Sequence, residues 1–258
     1  MMNDKPLSYG RKSISVSTSP KELMTKRPRL SKVWTADVIT LYPNLFPGVL
    51  SESIVGKSLE KNKWALQTVN LRDFGIGAHK KVDDTPAGGG AGLVLRADVI
   101  EPALEKSISS SPKGRPIVYM SPRGKRFDQT LAKKWAAASG VIILCGRFEG
   151  IDERILEHYN IDEISLGDFV MTGGEIAAQA MIDATVRLLP NILGNPDSPL
   201  DESHSNGLLE YPQYTKPAEW KGQKIPDTLL SGHHENIAKW RMDQAKTKTK
   251  KHRPDLWK

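Results

Sequence analysis

Three stretches of this sequence end a short apolar run in small residues with charges close by: YMSPRG at 119–124, CGRFEG at 145–150 and LGDFVMTGG at 166–174. Glycines and small residues at neighbouring strand ends let backbone N–H and C=O groups face one ligand. Such backbone readout suits a flat adenine and needs no charged side chain. Glu149 and Asp168 could attract a cation or accept from ribose hydroxyls. The plainer reading of each stretch is an ordinary turn between a strand and a helix, but three of them, together with Phe148 and Phe169, favour a ligand. A further cation, Arg187, is the only one in an apolar helical stretch at 175–189, which fits either a site role or a salt-bridged helix end.

Other chemistries find less support. Gly88–Gly92 lacks the Gly-Lys-Ser/Thr ending of a phosphate-binding loop and is not directly preceded by a strand, and Asp83 and Asp84 before it would repel a pyrophosphate. It reads as a mobile substrate loop or as a plain turn. His79, between Gly77 and Lys80-Lys81, could touch phosphate or lie idle on the surface. The six histidines show no helical metal-site spacing, so no metal is expected. There is no G-x-S-x-G elbow, which disfavours hydrolysis.

The elements that must position these residues follow from periodicity. Val33–Leu41 and Trp64–Leu71 read as strands, with a helix over 44–59 between them whose core positions are Leu45, Val49 and Ile54. The long polar segment Arg72–Gly92 exceeds an idle connection and is expected to be functional. A helix follows at 97–109, then a strand at 117–120 that ends in the turn SPRGKRFD. Asp128 caps a helix over 129–138. Strand 141–145, helix 152–159, strand 163–166 and a longest helix over 175–189 complete the pattern. The β-α order over 33–190 predicts an α/β domain with a mainly parallel sheet. Residues 191–215 lack a period and read as a flexible interdomain linker. Residues 216–258 form a small helical domain, with Leu229, Ile237 and Trp240 too few to make a core of their own.

Composition narrows the class. Of the 258 residues, 38% are hydrophobic and 26% charged, and no apolar run approaches the roughly 18 residues of a membrane span. No membrane partner is expected. The single cysteine, Cys145, excludes an internal disulfide and fits a reducing cytoplasm. The net charge of +7 is concentrated at the ends: residues 1–32 and 239–258 each carry eight Lys/Arg against two acids, while 33–238 carries 21 against 26. Basic ends suit a polyanion, although solvated termini would look the same. Residues 1–32 lack the apolar stretch of a secretory signal and read as a disordered basic extension.

Taken together, CGRFEGIDER, SLGDFVMTGGE, YMSPRGKRFDQ, HKKVDDTPAGGGAGLVL, GLLEYPQYTKP and LLSGHHENIAKWR resemble the hallmark segments of the bacterial tRNA (guanine(37)-N1)-methyltransferases, the TrmD family of the SPOUT superfamily. The resemblance covers Val33 to Trp257 in order. It implies an α/β domain whose parallel sheet holds a deep trefoil knot, plus a small C-terminal helical domain, in a homodimer. It also implies S-adenosyl-L-methionine held on the knot loops by Tyr119, Met120, Ser121 and Pro122, by Gly146, Phe148, Glu149 and Gly150, and by Leu166, Gly167, Asp168, Phe169, Val170, Met171, Gly173 and Gly174. The substrate it implies is tRNA with guanine at position 37, and His79, Asp83, Gly92 and Arg147 are expected to contact it. Arg187 matches the family's key arginine. Ungapped alignment from Gly194 puts Glu202 on the family's catalytic acid, and a slip of one residue would promote Asp201.

These residue types suit that reaction. Guanine N1 carries a proton and is a poor nucleophile until a carboxylate removes it, so Glu202 is the expected general base. Charge then builds on O6, where Arg187 would stabilise it. Two other readings stay open: a SPOUT ribose 2′-O-methyltransferase, against which the carboxylate beside Arg187 argues, and a non-catalytic RNA-binding protein.

Overall fold

A computed structural model describes residues 33–193, 202–204 and 207–257. The extension 1–32, Asp201 and most of the stretch between Leu193 and Gly207 lie outside the described residues. In chain order the elements begin with β1 (Thr35–Thr40), α1 (Ser53–Glu60), β2 (Ala65–Asn70), β3 (Asp83–Asp84), β4 (Val94–Leu95) and α2 (Ala97–Ser109). They continue with β5 (Ile117–Arg126), α3 (Gln129–Ala137), β6 (Gly140–Cys145), α4 (Glu153–Tyr159), β7 (Asp162–Ser165) and α5 (Glu175–Val186). A hairpin, β8 (Glu219–Trp220) with β9 (Gln223–Lys224), then leads to α6 (Asp227–Leu230) and α7 (His234–His252).

The central sheet is parallel throughout, in the order β2-β1-β6-β5-β7. Both of its faces are covered, which is why β1 and β6 are buried at every position and β6 reads as a continuous apolar run. Along β1 the side chains alternate: Ala36 and Val38 join a core with α1, α3 and α5, built around Trp34, Trp64 and Trp135. Ile39 and the following Leu41 join a second core with α2 and α4. The one charge in β1, Asp37, is fully buried on Arg115 at 2.7 Å and also accepts from Ser111 Oγ.

Four expectations are corrected. The helix over 44–59 is instead two 3-10 turns, Pro43–Leu45 and Gly48–Ser51, followed by α1. Pro47 and the positive φ of Gly48 (+53°) interrupt the α-helical phase. The core positions shift with it: Leu45, Val49 and Ile54 are exposed, and Phe46, Leu50 and Val55 are buried instead. Second, residues 121–126 are no turn; β5 runs on through them, shifting register against β7 between Met120 and Lys125. Gly124 permits this, because a Cβ there would lie 2.3 Å from the backbone of Glu163.

Third, α5 stops at Val186, with Arg187 as its C-cap, and Ile176 on it is exposed. Fourth, the longest helix among the described residues is the 19-residue α7. Lysines and alanine sustain α7 without an apolar stripe, so hydrophobic periodicity underestimates it. Only Ala245 and Thr249 of it are buried, and Thr249 Oγ1 accepts from Leu209 N at 2.8 Å. No described helix is long and apolar enough to cross a membrane.

Candidate active site

The ends of β5, β6 and β7 open onto one cavity of about 230 Å³. Tyr119, Met120, Ser121 and Pro122 line it from β5. Gly146, Arg147, Phe148, Glu149 and Gly150 line it from the loop after β6. Leu166, Phe169, Val170, Met171, Gly173 and Gly174 line it from the loop before α5, with Ala177 closing the back. The three stretches singled out in the sequence therefore meet at one place. Gly167 and Asp168 do not line the cavity; the Asp168 carboxylate is 84% exposed, 3.7 Å from Arg126.

Glycine is required here by proximity. A Cβ on Gly146 would lie 2.6 Å from the Tyr119 ring, and one on Gly174 would lie 2.8 Å from Met120 Cβ and 3.1 Å from Cys145 Cα. The two loops also bond to each other, Gly174 N donating to Gly146 O at 3.1 Å. The lining thus combines apolar side chains (Leu166, Met171, Ala177) with glycine-rich backbone, a mixture suited to a flat heterocycle. Burial pushes the Tyr119 phenol up to about 12, so its hydroxyl stays protonated at neutral pH. Phe148 sits at φ +60°, in the left-handed region that a bulky residue rarely adopts, and its side chain is half exposed beside the opening.

The polar segment before α2 reaches the same loop. β3 and β4 pair antiparallel, with Asp83 opposite Leu95. Glu149 N donates to Leu93 O and Leu95 N to Gly150 O, each at 3.0 Å. A Cβ on Gly92 would fall 2.4 Å from Glu149 Cγ. Gly92 thus packs against the cavity loop, while Gly88, Gly89 and Gly90 stand clear with positive φ. Asp83 is partly buried in β3, and His79 is exposed on the turn before it.

Arg187 and Glu202 come together at the far end of α5. The guanidinium donates from Nη1 and Nη2 to the two carboxylate oxygens, a bidentate pair with both side chains about 70% buried. These hydrogen bonds hold the Glu202 carboxyl below its ordinary range despite partial burial, and raise Arg187 in turn. Asp183, one turn earlier on α5, is shifted the other way by burial, against the pull of Arg187. Glu202 also lies at the edge of a groove formed with Leu208–Tyr211 and α7, where Arg241 stacks 4.8 Å from the Tyr211 ring centroid.

Sequence reasoning missed Glu175, which does not line the cavity itself but follows Gly174 and pairs with Arg147, both of which do. Its signal was present in the sequence: an acid directly after Gly173-Gly174, at the start of a helix whose next residues are apolar. Among the described residues, no group of three or more His, Cys, Asp or Glu side chains is arranged to hold a metal ion.

Comparison with known proteins gives a consistent result. A family described as tRNA (Guanine-1)-methyltransferase TrmD matches residues 34–258. A protein of Ruegeria sp. (strain TM1040) named tRNA (guanine-N(1)-)-methyltransferase is 59% identical over 234 residues, covering 91% of this chain and 96% of that protein. Proteins of the same name from Brucella ovis (53% identical; 86% of this chain, 90% of that protein) and Gluconobacter oxydans (52%; 87% and 95%) are similar over nearly the same span.

Proposed function

This chain belongs to the tRNA (guanine-1)-methyltransferase TrmD family, and on that premise we propose that it methylates N1 of guanine 37 of tRNA, the base 3′ of the anticodon, with S-adenosylmethionine as donor. That it is a methyltransferase acting on guanine N1 of tRNA follows from family membership and from relatives of more than half identity. The observation that carries the finer reading is the Arg187–Glu202 pair, a donor and an acceptor that match O6 and N1–H of guanine.

The residues around the cavity fit an adenosyl group: glycine-rich backbone, apolar side chains, and Glu149 as an acceptor for ribose hydroxyls. S-adenosylmethionine would supply a sulfonium methyl carbon that is already electrophilic. The protein is left with alignment and proton removal. Glu202 would take the N1 proton as general base, leaving N1 nucleophilic toward that carbon, whose bond to sulfur would break as the neutral thioether leaves. Arg187 donates to O6 as charge builds there. In the described arrangement the two side chains neutralise each other, so the entering base must part them. Guanine is matched to that task, because its O6 accepts what Arg187 donates and its N1–H donates to what Glu202 accepts.

Ala177 lines the cavity, yet Arg187 lies ten residues further along α5, about 15 Å away at 1.5 Å per residue. That separation supports a homodimer in which a second copy completes each site. The exposed Leu45, Val49 and Ile176 around Gln179 offer a face for it: Val49 N donates to Gln179 Oε1, and Gln179 Nε2 donates to Leu45 O. Antiparallel packing of α5 against its twofold mate would bring the helix end carrying Arg187 toward the partner's cavity. The SPOUT-type knot, with residues 33–190 as its domain, 191–215 as linker and 216–258 as tRNA-binding module, belongs to the same proposal. So do a cytoplasmic location and tRNA contacts by His79, Asp83 and Gly92.

The deciding experiment is methyl transfer from labelled S-adenosylmethionine to tRNA transcripts that carry guanine or adenine at position 37. Product is expected on the guanine transcript alone. Glu202→Gln is expected to abolish transfer while cofactor binding persists. Absence of product on the guanine transcript with the unaltered protein overturns the proposal.

A further inference from the structure

Arg147 stands two residues past the end of β6, with most of its side chain buried. Its Nη2 lies 2.8 Å from Glu175 Oε2, its Nε donates to Oε1 at 3.2 Å, and its Nη1 donates to the Thr172 carbonyl at 3.1 Å. The guanidinium also stacks on the Tyr42 ring, 4.5 Å from the centroid. Glu175 is almost wholly buried, and its Oε1 accepts a further bond from Thr40 Oγ1 at 2.7 Å. That hydroxyl in turn accepts from Tyr42 N at 2.9 Å.

One carboxylate and one guanidinium therefore join three segments: the end of β1, the loop after β6 and the turn that starts α5. The latter two both line the cavity. Arg147 forms a backbone bridge with Gly173, and a Cβ on Gly173 would fall 2.3 Å from Arg147 Nε, so the loop is cut to fit around this side chain. A tRNA phosphate could reach the guanidinium only by drawing it away from a buried carboxylate that would then lack its counter-charge.

We propose that Arg147 and Glu175 are a positioning pair that fixes the distance between the two cofactor loops, and that Arg147 does not contact tRNA. The proposal rests on the reading of this cavity as the S-adenosylmethionine site. A carboxylate held between two loops sets their separation more tightly than the single backbone bond at Gly174, and a misplacement of about 1 Å is enough to impair a site that works by alignment.

The test compares the unaltered protein with Arg147→Lys, Glu175→Gln and the double variant Arg147→Gln/Glu175→Gln, which leaves no lone buried charge and so retains the fold if a single variant does not. Calorimetry measures S-adenosylmethionine binding, and filter binding at several salt concentrations measures tRNA binding. The expected result is cofactor affinity weaker by on the order of tenfold or more in Glu175→Gln and the double variant, with partial recovery in Arg147→Lys. The affinity for tRNA and its salt slope should stay at the unaltered value. Unchanged cofactor affinity with weaker tRNA binding and a salt slope reduced by about one would make Arg147 a phosphate contact and overturn the proposal. Unchanged binding of both ligands with only a lower melting temperature would overturn it as well. Failure of the unaltered protein to bind S-adenosylmethionine would instead overturn the cofactor reading, and the pair's role with it.

Discussion

Glu202 illustrates how much a single residue's surroundings decide. The Arg187 hydrogen bonds depress its proton affinity, and burial opposes them without prevailing. A carboxyl depressed in the folded protein contributes stability above its unfolded pKa and loses it as pH falls through the folded value. The pair should therefore be intact at neutral pH and fail only in acid, below the ordinary value of 4.5. The acid limb of kcat/KM, which reports the free enzyme's base, should fall in the same range. A limb between pH 6 and 7 would point to another base, and a pH–rate series decides it. Resemblance to the family narrowed the expected base to two neighbouring acids, and ungapped alignment preferred Glu202 to Asp201. What the sequence could not carry is the pairing itself, since fifteen positions of chain separate Arg187 from Glu202.

At the scale of elements, legibility tracked local chemistry. Asp128 was recognisable as a cap from its type and place, and its carboxylate does accept from Leu131 N at 2.8 Å. Asp128→Ala should cost about 1 kcal/mol and lower the melting temperature by about 2–4 °C, measurable by thermal denaturation. The helix over 97–109 and the strands that form the sheet were readable for the same reason: period and punctuation agree there. Periodicity misled at 44–59, because two 3-10 turns broken at Pro47 and Gly48 share no single helical phase with α1. It also failed for β5 beyond Met120, where polar residues form a strand only because β7 lies alongside. The hairpins β3–β4 and β8–β9, two residues to a strand, are too short to leave a pattern.

For the whole molecule, the separation of the cavity from the Arg187–Glu202 pair makes a test of the dimer possible. A variant with a spoiled cavity, such as Gly174→Val, and Arg187→Ala should each be inactive. If each site takes its cavity from one copy and its pair from the other, co-refolding equal amounts should restore about a quarter of full activity, through heterodimers with one intact site. No recovery, with heterodimers demonstrated by mass spectrometry, would mean that each chain completes its own site. The basic ends give the molecule a field that its mildly acidic body lacks, which accords with a polyanionic substrate.

Asp37 sets a condition on how the sheet holds together. It stands at the third position of β1, which pairs with β2 along one edge and with β6 along the other, where Thr35 meets Gly140. Its carboxylate is fully buried, and its counter-charge, Arg115, comes from the connection between α2 and β5. A buried charge that loses its partner costs far more than a hydrophobic side chain in the same place. The middle of the sheet therefore leans on a residue outside it: every backbone bond of β1 can be made and the strand still be unstable until that connection is seated.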